Sequence, residues 1–406
     1  MSWLKNSVIY QIFVDRFSTG NPEKDKLLEG KTSKNWMGGN LVGIARRIDY
    51  LKKLGVNAVY LTPIFKGKYY HGYHVIDYFE IDPHFGNKKK FKKLVGILHK
   101  NNIKLIFDFV PNHCSNEHPF FKEATSNKNS KYKDWFVFKK WPKDYLSFLD
   151  VKELPKFNFE NPEVQEYLIE VANYWVKNFE IDALRIDHAV GPTIEFWKKF
   201  RKEIEVPLIA EAGYARGLTC GRPLWKESNL ETIWLTKSFT KKEMNLLKEL
   251  IKTHELKTLI EVNELWMKKL EKYFDGFMDF AFRDIVWGVA NHSLEVEEAF
   301  GLLEKHYKKF KKKTSLIALL SNHDFNRFSY IFGKEAAVAF SSLQFLVNQP
   351  LLIYYGEESG LSQKSRVDNS TPYSDIEARR FMNWYSIDKK LFDHYRTLIK
   401  FKLSSV

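Results

Sequence analysis

Short runs rich in β-branched and aromatic residues alternate with longer amphipathic segments along almost the whole chain, and this alternation restricts the fold more than any other feature of the sequence. The runs are Val8–Val14, Val56–Leu61, Ile103–Val110, Ala183–Asp187, Val206–Glu211, Gly276–Ala281, Ser315–Ser321 and Leu351–Tyr355. Each is followed by apolar residues at helical spacing, as in Leu41, Ile44, Ile48, Leu51 and Leu54, or Val164, Leu168, Val171 and Trp175. Strand and helix in regular alternation indicate parallel βα units, and eight of them predict an α/β (β/α)8 TIM barrel. Such a barrel takes roughly 250 residues before insertions, and this chain has 406.

Two stretches exceed a minimal barrel. Residues 114–160, after the third run, are rich in Lys, Asn, Phe and Trp with little periodicity, and read as a small domain capping the cleft. That leaves 1–113 and 161–406 for the barrel. Residues 213–273, after the fifth run, start as loop and become helical from Lys241, with Met244, Leu247, Leu250 and Ile251 marking one helix and Leu259, Val262, Trp266 and Leu270 another. They read as a helical insertion that shapes the cleft or a subunit contact.

The formal net charge of +14 raises nucleic acid as a partner, but the lysines are spread through helical stretches, Lys88 to Lys93, Lys241 to Lys252 and Lys305 to Lys313, as solvated faces are. No nucleic-acid partner is expected, and no membrane partner either, since no apolar run is long enough to span a bilayer. The sequence leaves the oligomeric state open. Met1 to Phe17 alternates like a strand and carries Asp15 and Arg16, unlike a signal peptide. With Cys114 and Cys220 as its only cysteines, the chain is expected in a reducing, cytoplasmic compartment.

In a barrel of this kind the reacting groups sit at the carboxyl ends of the strands. The unusual polar residues fall there: Asp108, Asn112 and His113 after the third run, Arg185, Asp187 and His188 at the fourth, Glu211 at the fifth, and Asn322, His323 and Asp324 at the seventh. A lone strand-end carboxylate is usually a helix cap or an ion-pair partner, but clusters at four strands share one mouth. Retaining glycoside hydrolysis needs a nucleophilic carboxylate and a carboxylic acid, roughly 5–5.5 Å apart. Asp187 and Glu211, at the ends of consecutive strands, suit that geometry. Arg185 lies on the same side of its strand as Asp187 and can keep it ionised, while Asp324 can raise the pKa of Glu211. Asp108 either bonds Arg185 or meets substrate, Asn112 braces a domain or metal or merely caps a loop, and His188 either reaches a sugar or is satisfied internally. Asn322 is expected to support the site. Trp36, Phe65, Tyr69, Tyr70, Trp135, Trp141 and Tyr145 are candidate sugar platforms, of which fewer than half are expected to touch ligand. Glu261 is a rival acid, set aside because its segment continues a helical pattern.

These blocks, with Val8-Ile-Tyr-Gln-Ile-Phe-Val-Asp-Arg-Phe17, Gly38-Gly-Asn-Leu-Val-Gly-Ile44, Tyr60-Leu-Thr-Pro-Ile-Phe65, Gly72-Tyr73, Asp77-Tyr78, Asp82-Pro-His-Phe-Gly86 and Tyr354-Tyr-Gly-Glu357, resemble the α-amylase family of retaining glycoside hydrolases in the family's order. The resemblance implies Asp187 as nucleophile, Glu211 as acid/base and Asp324 as transition-state stabiliser. It also implies His113, Arg185 and His323 as ligands of the sugar at the cleavage point and Tyr73 as its stacking platform. The run Leu154-Pro-Lys-Phe-Asn158 resembles the block of neopullulanase-like and maltogenic members, which accept α-1,4 and α-1,6 links. The loop Ser18 to Asp25 resembles a calcium loop, but Thr19 and Lys24 replace oxygen-rich ligands and Asn40 stands where aspartate is usual, so no metal and no other cofactor is expected. His74, after Tyr73, replaces the aspartate of terminal-glucose-clipping relatives, and Val190-Gly191 replaces a Lys-His pair of many amylases. After Tyr355 only one helix is expected, without the usual carboxyl-terminal β-sandwich. The implied activity is hydrolysis of malto-oligosaccharides or starch-type glucans, with a 4-α-glucanotransferase and a non-catalytic carbohydrate-binding barrel as alternatives.

Overall fold

A computed structural model of the chain describes residues 2–213, 230, 232–253, 255–367 and 374–404. Eight parallel strands close a barrel: β1 (Val8–Ile12), β2 (Ala58–Leu61), β3 (Lys104–Phe109), β4 (Ala183–Ile186), β5 (Leu208–Ala210), β6 (Gly276–Asp279), β7 (Ser315–Leu319) and β8 (Leu351–Tyr354). Each pairs with its neighbours in sequence, and β1 closes the ring with both β2 and β8. All eight expected runs therefore form strands, each within its expected span. The strands are buried on both faces, which is why they read as continuous apolar runs and not as alternating ones.

The helical layer follows from caps and periodicity. Asn87 accepts from the Lys90 N–H to start Lys88–Lys100, which buries Phe91, Leu94, Val95 and Leu98. Asn161 does the same for Pro162–Phe179, with proline at its first turn, and that helix buries Val164, Leu168, Val171 and Trp175. Thr193 caps Ile194–Glu203. Leu391, Phe392, Tyr395 and Ile399 turn inward from the last helix, Lys389–Ser404.

Three expectations need correcting. The first strand ends at Ile12, because Val14–Phe17 turns into a short helix whose Asp15 and Arg16 are fully buried and bonded to each other. Ser2–Lys5 is a helical turn instead of part of a strand. The stretch 213–273 holds helices Lys241–Thr253 and Leu256–Leu270, as expected, but the second leads directly into β6 and is the helix that a βα unit requires there. Cys220 and residues 214–229 of that stretch lie outside the described residues.

Residues 114–160 form a helix (Pro119–Ser126) and a small antiparallel hairpin (Phe138–Lys140 with Asp144–Tyr145) around an aromatic cluster. Phe120 stacks on Tyr132 at 4.0 Å, and Phe136 on Phe157 at 5.5 Å. The unit is tied to the end of β3 by a bridge between His113 and Lys156 and by the Phe157 N–H donating to the Asn112 carbonyl at 3.1 Å. It lies beside the mouth of the barrel. In the loop Ser18 to Asp25, the Asp25 carboxylate accepts from Ser18 Oγ, the Thr19 N–H and hydroxyl, and Arg47.

Candidate active site

Asp108 on β3 and Arg185 on β4 are register partners in adjacent parallel strands, so both side chains point the same way. Arg185 Nη1 donates to Asp108 Oδ1 at 2.8 Å and to Asp187 Oδ1 at 3.0 Å, and its Nη2 meets Glu211 Oε2 at 2.9 Å. One guanidinium, 3% exposed, therefore gathers carboxylates from the ends of three consecutive strands. Asp187 and Glu211 are thus neighbours on one guanidinium, and Glu211 accepts from the His188 N–H at 3.0 Å. His188 adopts the left-handed conformation (φ +45°) that turns this N–H back towards β5.

Burial raises the pKa of Asp187 and of Glu211. Arg185 opposes it in both, while Glu211, Asp108 and Asp324 push Asp187 further up. Two carboxylates in contact cannot both discharge their protons easily, so the pair retains one proton where isolated carboxylates would have lost it. Burial lifts Asp108 to about 6 against the pull of Arg185.

A chain of hydrogen bonds runs round the mouth. Tyr60 and Tyr73 both donate to Asp108 Oδ2, at 2.6 and 2.9 Å. The Tyr73 hydroxyl meets His323 Nε2 at 2.7 Å, and Gln11 Nε2 meets His323 Nδ1 at 2.8 Å. With Tyr73 donating to the carboxylate, His323 must donate to Tyr73 and accept from Gln11. Tyr73 and His323 are nearly parallel, 3° apart at 5.4 Å. Asp324 meets His323 Nε2 at 3.2 Å and Arg379 Nη2 at 3.1 Å, and its N–H donates to Asn322 Oδ1 at 3.0 Å.

These residues border a cleft of about 330 Å³. Of the expected residues, Asp187, Glu211, Asp324, Tyr73, His113, His188 and His323 line it. Arg185, Asp108, Asn112 and Asn322 stand behind them and bond to them or to their neighbours. Phe65 does not reach the cleft: it is fully buried against Phe107, at 5.2 Å, and Trp175, at 5.6 Å, in the layer between barrel and helices. The other six candidate platforms are not among the residues that line it either. Trp36, for instance, stacks on His84 at 4.0 Å, and Trp135 packs on Phe120 and Tyr132. Glu261 is exposed on the helix Leu256–Leu270, away from any strand end.

The apolar walls come from elsewhere. Phe148, from the 114–160 unit, stacks on His113 at 4.8 Å and meets His188 edge-on at 4.7 Å. The next residues, Leu149 and Asp150, both have positive φ, a strained pair that turns Leu149 into the cleft lining. Opposite stand Phe280 and Phe325, 5.9 Å apart and backed by the Arg283 guanidinium at 4.9 and 4.4 Å. A side chain at Gly213 would put its Cβ 2.0 Å from the Phe280 ring, so glycine there leaves the wall its place. Asp375 and Arg379, bonded at 2.6 Å, complete the lining. Sequence reasoning missed this pair, whose signal was an Asp and an Arg at four-residue spacing in a polar stretch beyond the last strand.

A family model described as Alpha amylase, catalytic domain, matches residues 11–402. Alpha-amylase 2 of Dictyoglomus thermophilum is 35% identical over 99% of this chain and 64% of its own length. A cyclomaltodextrinase of Thermoanaerobacter pseudethanolicus is 32% identical over 98% of this chain and 64% of its own length. This chain thus spans less than two thirds of the length of those relatives. Among solved structures, a cyclomaltodextrinase superposes with a TM-score of 0.78 at 28% identity, covering 99% of this chain and 64% of that one. A cyclic α-maltosyl-(1→6)-maltose hydrolase from Arthrobacter globiformis gives 0.78 at 26% identity, over 100% of this chain and 84% of that one. The family model's span, the near full-length relatives and the strand-end residues gathered on Arg185 agree: this chain belongs to the α-amylase family.

Proposed function

We propose that the chain hydrolyses α-1,4, and also α-1,6, glucosidic bonds of malto-oligosaccharides by double displacement with retention. The observation that carries this reading is the shared grip of Arg185 on Asp187 and Glu211. Two carboxyls gripped by one guanidinium leave less room than the roughly 6.5–9.5 Å gap that an inverting enzyme keeps to admit a water, and so favour the shorter spacing of a retaining one. Asp187 attacks the anomeric carbon while the Glu211 carboxylic acid gives its proton to the leaving glycosidic oxygen. That bond breaks, and a glycosyl ester on Asp187 forms. Glu211, now ionised, takes a proton from water, whose oxygen displaces Asp187 and restores both groups. Asp324, held by Arg379, binds the sugar hydroxyls, and Tyr73 offers its ring to the sugar face.

Relatives named intracellular maltogenic amylase and neopullulanase support the substrate class, and the former support a cytoplasmic location. Product analysis on maltotriose, pullulan, starch and cyclodextrin tests the reading. Asp187→Asn removes the nucleophile and Glu211→Gln the proton, and each should cut turnover by about three orders of magnitude or more. Wild-type rates in either variant would refute it.

A further inference from the structure

Lys156 is fully buried, and no carboxylate bonds it among the described residues. Its Nζ donates to Asn112 Oδ1 at 2.7 Å and to the Gly191 carbonyl at 2.8 Å, and it sits 5.1 Å from the Trp234 ring and 5.5 Å from that of Phe159. Neutral acceptors and ring faces are modest compensation for removing a charge from water. Burial, with Lys237 nearby, pushes the Lys156 amine well below the usual lysine range, and a lysine kept there at that cost has a structural use.

Lys156 Nζ donates both to the Gly191 carbonyl, which can only accept, and to Asn112 Oδ1, so the Asn112 amide presents its oxygen to Lys156. The amide nitrogen is then turned to the other side, where it lies 3.1 Å from His113 Nδ1. An amide nitrogen only donates, so Nδ1 must accept and the proton of the neutral ring belongs on Nε2. Burial, reinforced by His74 and Lys156, pushes the His113 imidazole down to about 3, so the ring is neutral at ordinary pH. His113 Nε2 is buried and makes no well-formed hydrogen bond, the Tyr73 backbone carbonyl also approaches the ring, and His113 lines the cleft beside Asp187. Gly191 keeps the arrangement open, since a Cβ there would lie 2.0 Å from Asn112 Oδ1. At His323 the corresponding amide is not fixed in this way: Gln11 Oε1 has no partner.

We propose that Lys156 is a positioning residue which, through the Asn112 amide, holds His113 as the Nε2-protonated tautomer and so presents an N–H donor to the sugar at the cleavage point. The donation to sugar rests on the function proposed above; the tautomer does not. Lys156 also steadies Glu211 by a second route, since the Gly191 N–H bonds the His188 carbonyl at 2.9 Å and the His188 N–H bonds Glu211.

The test is a long-range proton–nitrogen correlation spectrum of the ligand-free, nitrogen-labelled chain at about pH 7, with His113 assigned by the signal lost in His113→Gln. The wild type should show the Nε2-protonated pattern. Lys156→Met frees the amide to rotate and should populate both tautomers. Asn112→Asp replaces the donor with an acceptor and should move the proton to Nδ1. On maltotriose, Lys156→Met should lose about tenfold in kcat/KM, the worth of one hydrogen bond. An Nδ1-protonated ring in the wild type, or unchanged His113 shifts in Lys156→Met, would overturn the proposal. If Lys156→Met does not fold, the wild-type and Asn112→Asp spectra decide it. The expected shifts with wild-type kcat/KM in Lys156→Met would overturn the donor role. Failure of the wild type to cleave any α-glucan would instead refute the proposed function and leave the tautomer to be judged on its spectrum.

Discussion

Replacing Arg185 by lysine keeps one positive charge in the site but removes its fork. The guanidinium makes contacts of 2.8, 3.0 and 2.9 Å to Asp108, Asp187 and Glu211 from two different nitrogens. A single ammonium cannot reproduce the planar, two-pronged geometry, so one or two of the three bonds are lost. Each charge-assisted bond is worth about 1.5–3 kcal/mol, and the loss should therefore lower kcat/KM by about two to three orders of magnitude. The pH dependence gives a second, independent readout. Arg185 pulls the pKa of both Asp187 and Glu211 down against burial. With that pull weakened, both must rise, and both limbs of the kcat/KM profile should move to higher pH, with the largest deficit on the acid side. Each unit of displacement corresponds to about 1.36 kcal/mol of differential interaction. The assay is hydrolysis of an aryl maltoside across about pH 4 to pH 9, with thermal melting in parallel because the site is buried. Limbs that stay in place or move acid-ward, in a variant that remains folded, would refute the electrostatic role assigned to Arg185.

Phe148→Ala removes the ring that covers His113 and His188 without touching a carboxylate, so KM for maltotriose should rise about fivefold to tenfold while kcat stays within about threefold; a selective fall in kcat would contradict this division of labour. Glu357 is a partly buried carboxyl that desolvation lifts to about 7, and its Oε1 has no hydrogen-bond partner. The folded chain therefore holds a proton that the unfolded chain releases, and stability should fall as pH rises from about 4.5 to about 7, by about 3 kcal/mol at the far end. Glu357→Gln should flatten the Tm-versus-pH curve across that window, and an unchanged slope would exclude Glu357 as its source.

The barrel was legible because parallel strands buried on both faces leave unbroken apolar runs, and because a reacting group must stand where such a run ends. Arg185, Asp187 and Asp108 could be placed together for the same reason, since parallel register aligns equivalent positions of adjacent strands. Phe65 was misread because a residue just past a strand can face outwards to the helix layer, and a sequence does not show which way it turns. Phe148, Phe280 and Phe325 had no distinguishing pattern among the aromatics that make up 16% of the chain. Leu149 depends on a left-handed backbone that leucine does not advertise. Lys156 looked like any other lysine: its significance lies wholly in what surrounds it.

The bonds that link Gln11, His323, Tyr73, Asp108, Tyr60, Arg185 and Glu211 tie together six of the eight barrel strands or the loops that follow them. They act as a hoop on a cask, in which no stave shifts alone. A reaction centre fastened in this way has no loosened but intact form to pass through on warming, so catalysis and global order should disappear over the same few degrees.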